Sequence, residues 1–453
     1  MIRHIERYLK EWKNSTNRKP LILRGARQVG KTYIIKKLAN EEFEHFLYIN
    51  LEQESGLLSI FKSNNPELII NELTSIYNIP IIGGKTLLFI DEIQTSPEAI
   101  VSLRYFYEHD PSLHVVAAGS LLDHTLNEIQ YSMPVGRVEY AYMFPMSFQE
   151  FLIALDQSGL ANYINNYSID SSFSEAIHKK LSEYLRLYFF IGGMPEAVKT
   201  YLDTKNLIDV EKVHASILTS LQYDFSKYGT RRQQVLLKSS LQYVANNIGR
   251  KVKYTNIERD AHSSQLKEAL LKLEMSRVIH LVRQTRSINP PITQYADNDK
   301  FKPLFIDIGL ACHMAQIKLN NLQSLVTDFE GALAEQFVGQ ELLASCPFYK
   351  EAKLYYWSRE AKSSNAEVDY LLQKENEIYP LEVKAGKTGT LKSMQVYLGE
   401  KNKTIGIRLN LDRPNFGKAL QAKIMVSKKE KSITYSLLSM PMYFAGCLDK
   451  FNF

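Results

Sequence analysis

A glycine-containing segment near the start of this chain constrains its fold more than any other feature. Residues 25–32 read Gly-Ala-Arg-Gln-Val-Gly-Lys-Thr and match the pattern G-x-x-x-x-G-K-[ST] completely. The apolar run at 20–25 predicts a buried strand entering a turn, and the residues from Lys31 to about Ala39 predict a helix. A strand, a glycine turn and a helix in this order surround a phosphate with backbone N–H groups and a helix N-terminus. The alternative is a chance glycine turn, which this context argues against.

The segment predicts a nucleotide site with defined roles for its residues. The glycines let the backbone curl around phosphate oxygens. Lys31 is expected to bridge the β- and γ-phosphates, and the hydroxyl of Thr32 to bind Mg²⁺. We therefore expect ATP and Mg²⁺ as cofactors. The residues expected to contact the nucleotide are consecutive: Gly25, Ala26, Arg27, Gln28, Val29, Gly30, Lys31 and Thr32.

Residues 86–92 supply the second half of the predicted site. Four consecutive apolar residues, 87–90, predict a buried strand that carries Asp91 to the edge of a sheet. Asp91 is expected to hold Mg²⁺ directly or through water, and Glu92 to orient and deprotonate the attacking water. A solvated acidic pair at the end of a strand is the alternative.

Three further side chains are candidates for positions around the γ-phosphate. Ser120 ends the next predicted strand, where it could sense the γ-phosphate or position water, although a terminal Gly-Ser is also a common turn. An ATPase needs a cation beyond Lys31 to meet the charge that develops in the transition state. Arg137 is the first candidate for this cation and Arg104 the second. The alternative for either arginine is a solvated surface ion pair.

The order of predicted elements indicates several domains. Strands are predicted at 20–25, 46–52, 86–92 and 113–120. They alternate with helical patterns, which favours a parallel sheet with helices on both faces. Residues 151–227 are helical in pattern, and 233–282 predicts three short helices before a hairpin-like segment, the outline of a winged helix-turn-helix. A helix at 329–345 precedes three β-rich runs. The predicted domains are an α/β P-loop core at 1–150, a helical segment at 151–230, a winged helix at 231–327 and a C-terminal domain at 328–453.

Composition narrows the class of protein only slightly. The 453 residues include 55 basic and 49 acidic side chains, and the net charge of +6 permits a nucleic-acid partner without requiring one. The three cysteines are widely separated, which argues against a disulfide framework and a cysteine-based zinc site. The N-terminus has no signal-peptide core, and no stretch approaches the ~18 apolar residues that span a bilayer. We therefore expect a cytoplasmic protein without a membrane partner.

Taken in order, the motifs are similar to those of a known family. They are GARQVGKT, LLFIDEIQ, AAGS and GRVEYAYMFPMSFQEF, followed by IGGMPEAV at 191–198 and KPLFIDIGLA at 302–311. Together they resemble the prokaryotic AAA-like ATPases that carry a fused C-terminal domain of uncharacterised role. The resemblance covers essentially the whole chain. It implies an ASCE-type P-loop core, a helical segment, a winged-helix domain and a C-terminal α/β fold of the restriction-endonuclease-like type.

The C-terminal region carries a second candidate site. EVDYLLQ and PLEVK place Asp369 in one predicted strand and Glu382 with Lys384 in the next. Residues two apart share a face of a strand, so Glu382 and Lys384 point together, and Asp369 can meet them across a hairpin. Glu335 on the preceding helix could complete the cluster. The arrangement resembles the PD-(D/E)xK nuclease core, in which carboxylates hold Mg²⁺ or Mn²⁺ and the lysine helps to activate water.

The same C-terminal residues also allow a non-catalytic interpretation. The fold could serve as a docking or regulatory module whose charges form an internal salt bridge. The flanking lysines Lys384, Lys387 and Lys392 could follow phosphates or form a solvated basic face.

The middle segment allows DNA contact without a distinctive signal for it. Its predicted recognition helix at 262–274 carries four residues that are adequate but not distinctive readers of bases: Ser263, Ser264, Gln265 and Lys267. A purely structural winged helix is the alternative. The basic residues of the segment are Arg231, Arg232, Lys251, Lys253, Arg259 and Lys267.

Two functions of different class follow from these observations. The first is an ATPase that acts on DNA or is regulated by it, with a metal-dependent nuclease domain. The second is a switch in which the ATP state controls assembly or partner binding, and the C-terminal domain only interacts. A small-molecule kinase is disfavoured because Asp91 and Glu92 supply a water-activating acid. The sequence leaves open a homo-oligomer and an unidentified protein partner.

Overall fold

In the computed structural model, the chain is divided between two units that draw on separated parts of the sequence. The structure describes residues 1–119, 136–225, 229–317, 329–359, 365–385, 390–426 and 429–451. Unit 1 comprises Met1–Phe144, Leu271–Val278 and Cys346–Glu351, and unit 2 comprises Pro145–Leu270, Ile279–Ser345 and Ala352–Phe453. Two short segments from late in the chain thus belong to unit 1, which no local pattern predicts. The finer division into four domains stays a prediction.

Unit 1 is built from strands and helices that alternate along the chain. Short apolar runs form the strands because both of their faces can be buried, and the amphipathic segments between them form helices. The helices are α1 (Ile5–Asn14), α2 (Lys31–Glu42), α3 (Pro66–Tyr77) and α4 (Pro97–His109), with 3-10 helices at Ser55–Ser63 and Ile93–Thr95. The strands are β1 (Leu21–Arg24), β2 (His45–Asn50), β3 (Thr86–Asp91), β4 (His114–Gly119) and β5 (Glu139–Tyr142).

The sheet of unit 1 is parallel throughout, in the order β2-β3-β4-β1-β5. The carboxyl ends of its strands therefore share one edge, where Arg24 lies beside Gly119 and Tyr142, and Asn50 beside Asp91. Every residue of β3 and β4 is buried. Apolar side chains of α3 and α4 pack with those of the strands in one core cluster, and α2 also packs against β2, β3 and β4. The predicted α/β fold with a parallel sheet is confirmed.

The described residues after unit 1's sheet begin with a run of helices. Polar residues cap several of them: Ser147 and Glu150 form a capping box before the first, and Thr230 and Gln233 form another. None of the described helices is long and apolar enough to cross a bilayer. The helices are α5 (Phe148–Ala154), α6 (Ser158–Asn166), α7 (Glu175–Ile191), α8 (Pro195–Thr204), α9 (Leu207–Asp224), α10 (Arg231–Asn246), α11 (Ser263–Met275), α12 (Ile308–Met314), α13 (Phe329–Ala344) and α14 (Lys392–Lys401).

The prediction of three short helices between 233 and 282 was wrong in its middle member. Only α10 and α11 are α-helices, and the segment between them contains a 3-10 helix at Tyr254–Asn256. Gly249 lies just beyond α10 with a φ of 69°, in the left-handed region that favours glycine. A Cβ atom at this position would lie 2.5 Å from Oε2 of Glu335, so the close approach also requires glycine.

Unit 2 contains a mixed sheet that joins the middle and C-terminal parts of the chain. Its strands are β6 (Ile279–Thr285), β7 (Ala296–Phe305), β8 (Tyr355–Arg359), β9 (Ala366–Lys374), β10 (Glu377–Val383), β11 (Ile405–Asn410), β12 (Asn415–Val426) and β13 (Lys429–Pro441). Their order is β12-β13-β11-β10-β9-β8-β6-β7. β9 and β10 form the predicted antiparallel hairpin, and β6 pairs in parallel with β8. The β6–β7 hairpin, predicted as a wing, therefore forms one end of the C-terminal sheet.

Candidate nucleotide site and acidic cluster

The glycine segment forms a tight turn between β1 and α2. Gly30 directly precedes α2 with a φ of 97°, in the left-handed region that favours glycine. Gly25 is required for a different reason, because a Cβ atom there would lie 2.4 Å from the carbonyl oxygen of Met143. Gln28 also has a positive φ, of 64°, which is uncommon for a residue with a side chain. The strand, turn and helix expected around this motif are all present.

Lys31 is folded back into this turn. The side chain is buried, and Nζ donates hydrogen bonds of 2.8 Å to the carbonyl oxygens of Gly25 and Ala26. Burial lowers the pKa of Lys31 to about 8, against the opposing effect of the Glu92 and Asp91 carboxylates. An anion placed inside the turn would favour the charged form of this lysine and would be bound by it.

A hydrogen bond between Thr32 and Asp91 joins the two predicted motifs. Oγ1 of Thr32 donates to Oδ2 of Asp91 at 2.7 Å, and the Tyr48 hydroxyl lies 3.4 Å from the same oxygen. Oδ1 of Asp91 accepts the backbone N–H of Glu92 at 3.1 Å. A hydroxyl and a carboxylate at the carboxyl edge of a sheet are oxygen ligands of the type that Mg²⁺ prefers. The residues present therefore fit the expected ion.

Glu92 leaves strand β3 through an unusual backbone conformation. Its φ of 51° and ψ of 41° lie in the left-handed region, which is uncommon for a residue other than glycine. Oε2 accepts a hydrogen bond of 2.6 Å from Nε2 of Gln94, so the half-buried carboxylate is held in one orientation. Outliers of this kind cluster at functional sites, which supports a functional role for Glu92.

The structure places Arg137 away from the phosphate loop of its own chain. Glu139 pairs with Leu21 and Tyr142 with Arg24, so Arg137 precedes the amino end of β5. The four paired residues span about 10 Å, and the loop follows the other end of β1. Nε of Arg137 lies 3.0 Å from Oε1 of Glu108 at the end of α4. Because β5 runs parallel to β1, Arg137 lies at the edge of the sheet opposite the loop, and the structure does not bring it to the phosphate loop of its own chain.

The second candidate, Arg104, binds the same carboxylate. Its Nε lies 3.0 Å from Oε1 of Glu108, and both arginines are about half exposed. The pair of arginines matches the alternative that the sequence left open, a solvated surface ion pair.

An arginine that sequence reasoning missed lies at the correct edge of the sheet. Cζ of Arg277 is 5.0 Å from the ring centre of Tyr142, the last residue of β5, and Nη2 is 3.0 Å from Oε1 of Glu351. Arg277 and Arg27 are the two cations whose charge adds to burial in lowering the pKa of Lys31. No sequence motif includes Arg277, which follows a helix about 250 residues after Lys31.

The remaining predicted nucleotide contacts divide into buried and polar residues. Ala26 and Val29 are buried under the turn. Nη2 of Arg27 lies 3.9 Å from Oε2 of Glu52. Ser120 lies outside the described residues.

In unit 2, the four residues of the second predicted site lie in one cluster. Oδ2 of Asp369 on β9 accepts the backbone N–H of Val383 at 2.7 Å, and Nζ of Lys384 is 2.5 Å from Oε1 of Glu382. Glu335 joins them from α13, since the charge of Asp369 acts on both Glu335 and Glu382. The structure thus brings the four predicted residues together, and their function stays a prediction.

A lysine that the sequence analysis missed lies within this acidic cluster. Lys302 on β7 is only 1% exposed, and its Nζ is 3.1 Å from Oε1 of Glu367 and 3.3 Å from Oε2 of Glu335. Glu367 also binds Lys251, at 3.3 Å. Burial acts to lower the pKa of Lys302, but the carboxylates of Glu335, Glu367 and Asp369 outweigh it and hold the pKa well above its usual range. The lysine is therefore charged and acts as a resident cation.

Most of the surface of the cluster's carboxylates is withdrawn from water, although the Glu335 side chain keeps 21% of its surface exposed. Burial raises the pKa of Glu335 to about 8, and burial together with Asp369 raises that of Glu382 to about 8. Oε2 of Glu382 is buried with no hydrogen-bond partner in the described chain. Across the described ranges, no three histidine, cysteine, aspartate or glutamate side chains are grouped as a metal site. The predicted second Mg²⁺ or Mn²⁺ site is not shown by the described residues, among which Lys302 and Lys384 contact these carboxylates.

Some of the basic residues considered for DNA contact form ion pairs with carboxylates of unit 2. Lys267 on α11 pairs with Asp299, and Lys251 pairs with Glu367. The predicted recognition helix is present as α11. Lys392 begins α14, and Lys387 lies outside the described residues.

Three family models match the sequence. Residues 17–152 match one described as an AAA domain. Residues 182–321 and 330–423 match two others, each described as a domain of unknown function (DUF8612 and DUF4143). No curated protein matches the chain.

Several solved structures are similar to this chain at low identity. The Aeropyrum pernix ORC2 protein in ADPNP–ADP complexes is 11% identical, with a TM-score of 0.34 over 72% of this chain and 95% of that one. A Pyrococcus horikoshii signal transduction ATPase with numerous domains and a tetratricopeptide repeat sensor is 14% identical, with a TM-score of 0.26 over 77% and 46%. PCH-2 of C. elegans is 11% identical, with a TM-score of 0.26 over 45% and 62%. The AAA-domain match and the phosphate loop together identify an AAA-type P-loop nucleotide-binding domain in this chain.

Proposed function

We propose that this chain binds and hydrolyses ATP with the residues gathered around Lys31 and Asp91. The observation that carries the proposal is the 2.7 Å hydrogen bond from Thr32 to Asp91. These residues belong to motifs 59 positions apart, and they are the two side chains that hold the magnesium ion of a bound nucleotide in P-loop ATPases.

Each side chain of this site has a role that its surroundings favour. Lys31 binds the β- and γ-phosphates in place of the two carbonyl oxygens that it contacts now. Thr32 and Asp91 would hold Mg²⁺, which neutralises phosphate charge when it is bound. Glu92 accepts the proton of the attacking water at a carboxylate oxygen, in the orientation that Gln94 maintains. Arg277, at the same edge of the sheet, is the candidate for the additional cation.

Two substitutions separate binding from hydrolysis. Lys31→Ala is expected to abolish tight ATP binding or turnover, since no other described side chain replaces its charge inside the turn. Glu92→Gln is expected to bind ATP and fail to hydrolyse it, because an amide cannot accept the proton. Phosphate release and equilibrium ATP binding are measured for both, with Glu67→Gln on the exposed side of α3 as the matched control. Near-normal turnover in Glu92→Gln would show that Glu92 is not the base.

For unit 2, we infer a second function in which the acidic cluster holds structure or a partner and does not cleave DNA. The supporting observation is that Lys302 lies between Glu335 and Glu367 at 3.3 and 3.1 Å. A buried ammonium group and a divalent ion compete for the same carboxylates, so the cluster has little remaining negative charge to offer a metal. This favours the switch hypothesis over the nuclease hypothesis.

Metal binding and cleavage by the full chain test this inference. Wild-type protein without nucleotide is titrated with Mn²⁺ by calorimetry, and plasmid and single-stranded DNA are incubated with Mn²⁺, with and without ATP. We expect neither metal binding at the cluster nor cleavage. Cleavage that disappears in the double variant Asp369→Ala with Lys384→Ala, while ATP hydrolysis remains, would establish the nuclease hypothesis instead.

Regulation by DNA remains a proposal. It rests on the net positive charge of the chain and on the order of helices and hairpin in its middle segment. ATP hydrolysis is measured with and without single- and double-stranded DNA. Stimulation by either would place DNA among the partners. Equal rates would favour a protein partner or self-assembly.

A further inference from the structure

A positively charged cavity in unit 2 lies at one end of the mixed sheet. Its volume is about 350 Å³. Arg286 directly follows β6, Lys300 lies on β7, Arg359 ends β8, and Lys401 lies in the last turn of α14. A volume of this size is at the lower end of the ~300–1,000 Å³ of small-molecule sites.

Three of these four cations have no carboxylate partner in the described chain. Arg359 is paired, since its Nη1 binds Oε1 of Glu400, which also lines the cavity. Arg286, Lys300 and Lys401 make no ion pair with any described residue. Three unpaired cations around one cavity favour an anion with more than one charged oxygen, and arginine in particular binds phosphate.

Two buried neutral groups also line the cavity with unsatisfied atoms. Nε2 of Gln284 donates to the carbonyl oxygen of Ser358 at 3.0 Å, which fixes the amide. Oε1 of Gln284 and Oγ of Ser358 then have no hydrogen-bond partner in the described chain, although these residues are only 5% and 7% exposed. Buried polar atoms are almost always hydrogen-bonded in folded proteins, so an acceptor left in this position indicates a ligand that donates.

The two observations together define the chemistry of a ligand. It carries a phosphate for the three cations and an N–H or O–H donor for Oε1 of Gln284. A nucleotide unit has both, with its phosphate and its ribose hydroxyl or base N–H groups. We propose that this cavity binds a nucleotide unit, supplied either as a free mononucleotide or as part of a nucleic-acid strand. Since every lining residue belongs to unit 2, the proposal does not depend on the ATPase site.

The full chain carrying Lys31→Ala is used for the test, so that the phosphate loop does not contribute. AMP and inorganic phosphate are titrated by calorimetry, and a labelled single-stranded oligonucleotide by fluorescence anisotropy at several salt concentrations. The charge reversal Arg286→Glu with Lys300→Glu is expected to weaken nucleotide binding by roughly tenfold or more and to reduce its salt dependence. Lys429→Glu is the matched control, because Lys429 is exposed at the opposite end of the same sheet. If the charge-reversed variant does not fold, the milder double variant Arg286→Gln with Lys300→Gln is used instead.

Each outcome decides a part of the proposal. Binding of AMP without the oligonucleotide supports a free nucleotide, and the reverse supports a strand. Gln284→Leu is expected to weaken AMP while leaving inorganic phosphate unchanged. Phosphate that binds as tightly as AMP would make this a general anion site and overturn the nucleotide assignment. Binding of neither ligand, or binding that the charge reversal does not change, would overturn the whole proposal, whatever the ATPase assay shows.

Discussion

Arg137 donates a hydrogen bond of 3.0 Å from Nε to Oε1 of Glu108, at the edge of unit 1's sheet where the strands begin. Because the phosphate loop is at the other edge, we expect Arg137→Ala to change kcat by less than about twofold, as for a surface ion pair. Initial rates are measured over a range of protein concentration, with Arg104→Ala as the matched control. A fall of roughly 10³-fold, dependent on protein concentration, would instead show that Arg137 serves a neighbouring copy of the chain.

Arg277 is the cation that we expect to affect catalysis from within the chain. Arg277→Ala should lower kcat by roughly 10²-fold with little change in ATP affinity, because the lost charge acts mainly on the transition state. Its ion pair with Glu351 gives the control, since Glu351→Gln removes the pair and keeps the arginine. If both substitutions lowered kcat equally, the role of Arg277 would be to hold the fold of unit 1.

The pKa of Lys31 predicts how ATP binding depends on pH. Burial lowers this pKa to about 8 in the protein without nucleotide, so the lysine is charged below pH 8 and becomes neutral above it. ATP binds the charged form, and affinity should therefore be level near pH 7 and fall above pH 8 by up to about tenfold per pH unit. Equilibrium binding from pH 6.5 to 9.5 checks this. An affinity that stays constant over this range would mean that Lys31 does not titrate within it.

Removal of the resident cation should destabilise unit 2. Lys302→Met leaves Glu335 and Glu367 without the ammonium group that binds both. We expect a loss of about 3 kcal/mol in the free energy of unfolding, at the lower end for broken buried pairs because both carboxylates retain some contact with water. Urea unfolding measures the loss. Adding Glu335→Gln should recover part of it, and Mn²⁺ should stabilise the single variant more than the wild type. Equal stability of Lys302→Met and wild type would contradict the role of Lys302.

Local sequence was sufficient to predict the strand, turn and helix around the phosphate loop, but not the distant residues that lie beside them. The glycine turn and the apolar strand before Asp91 are specified by neighbouring residues, so strand, turn and helix formed where they were expected. Arg277 could not be found in this way, because it reaches the same edge of the sheet only through the tertiary fold. The direction of β5 likewise depends on its pairing with β1, and this pairing places Arg137 at the edge of the sheet opposite the phosphate loop.

The acidic cluster likewise contains residues that local sequence predicts and one that it does not. Asp369, Glu382 and Lys384 were predicted because they lie on one hairpin, whose alternation of side chains is local. Lys302 is 33 positions before Glu335 and belongs to a hairpin that the sequence assigned to another domain. Nothing in the sequence around Lys302 indicates which residues the buried lysine contacts. The charge balance of the cluster, on which its chemistry depends, was therefore not accessible from the sequence.

The parallel pairing of β6 with β8 has a consequence for how this chain can be divided. The two regions of unknown function meet along these strands, and separation at residue 328 would leave each fragment with an unpaired sheet edge. Exposed edges of this kind promote aggregation. Gene fusion and recombination should therefore transfer the regions 182–321 and 330–423 together, as one evolutionary unit.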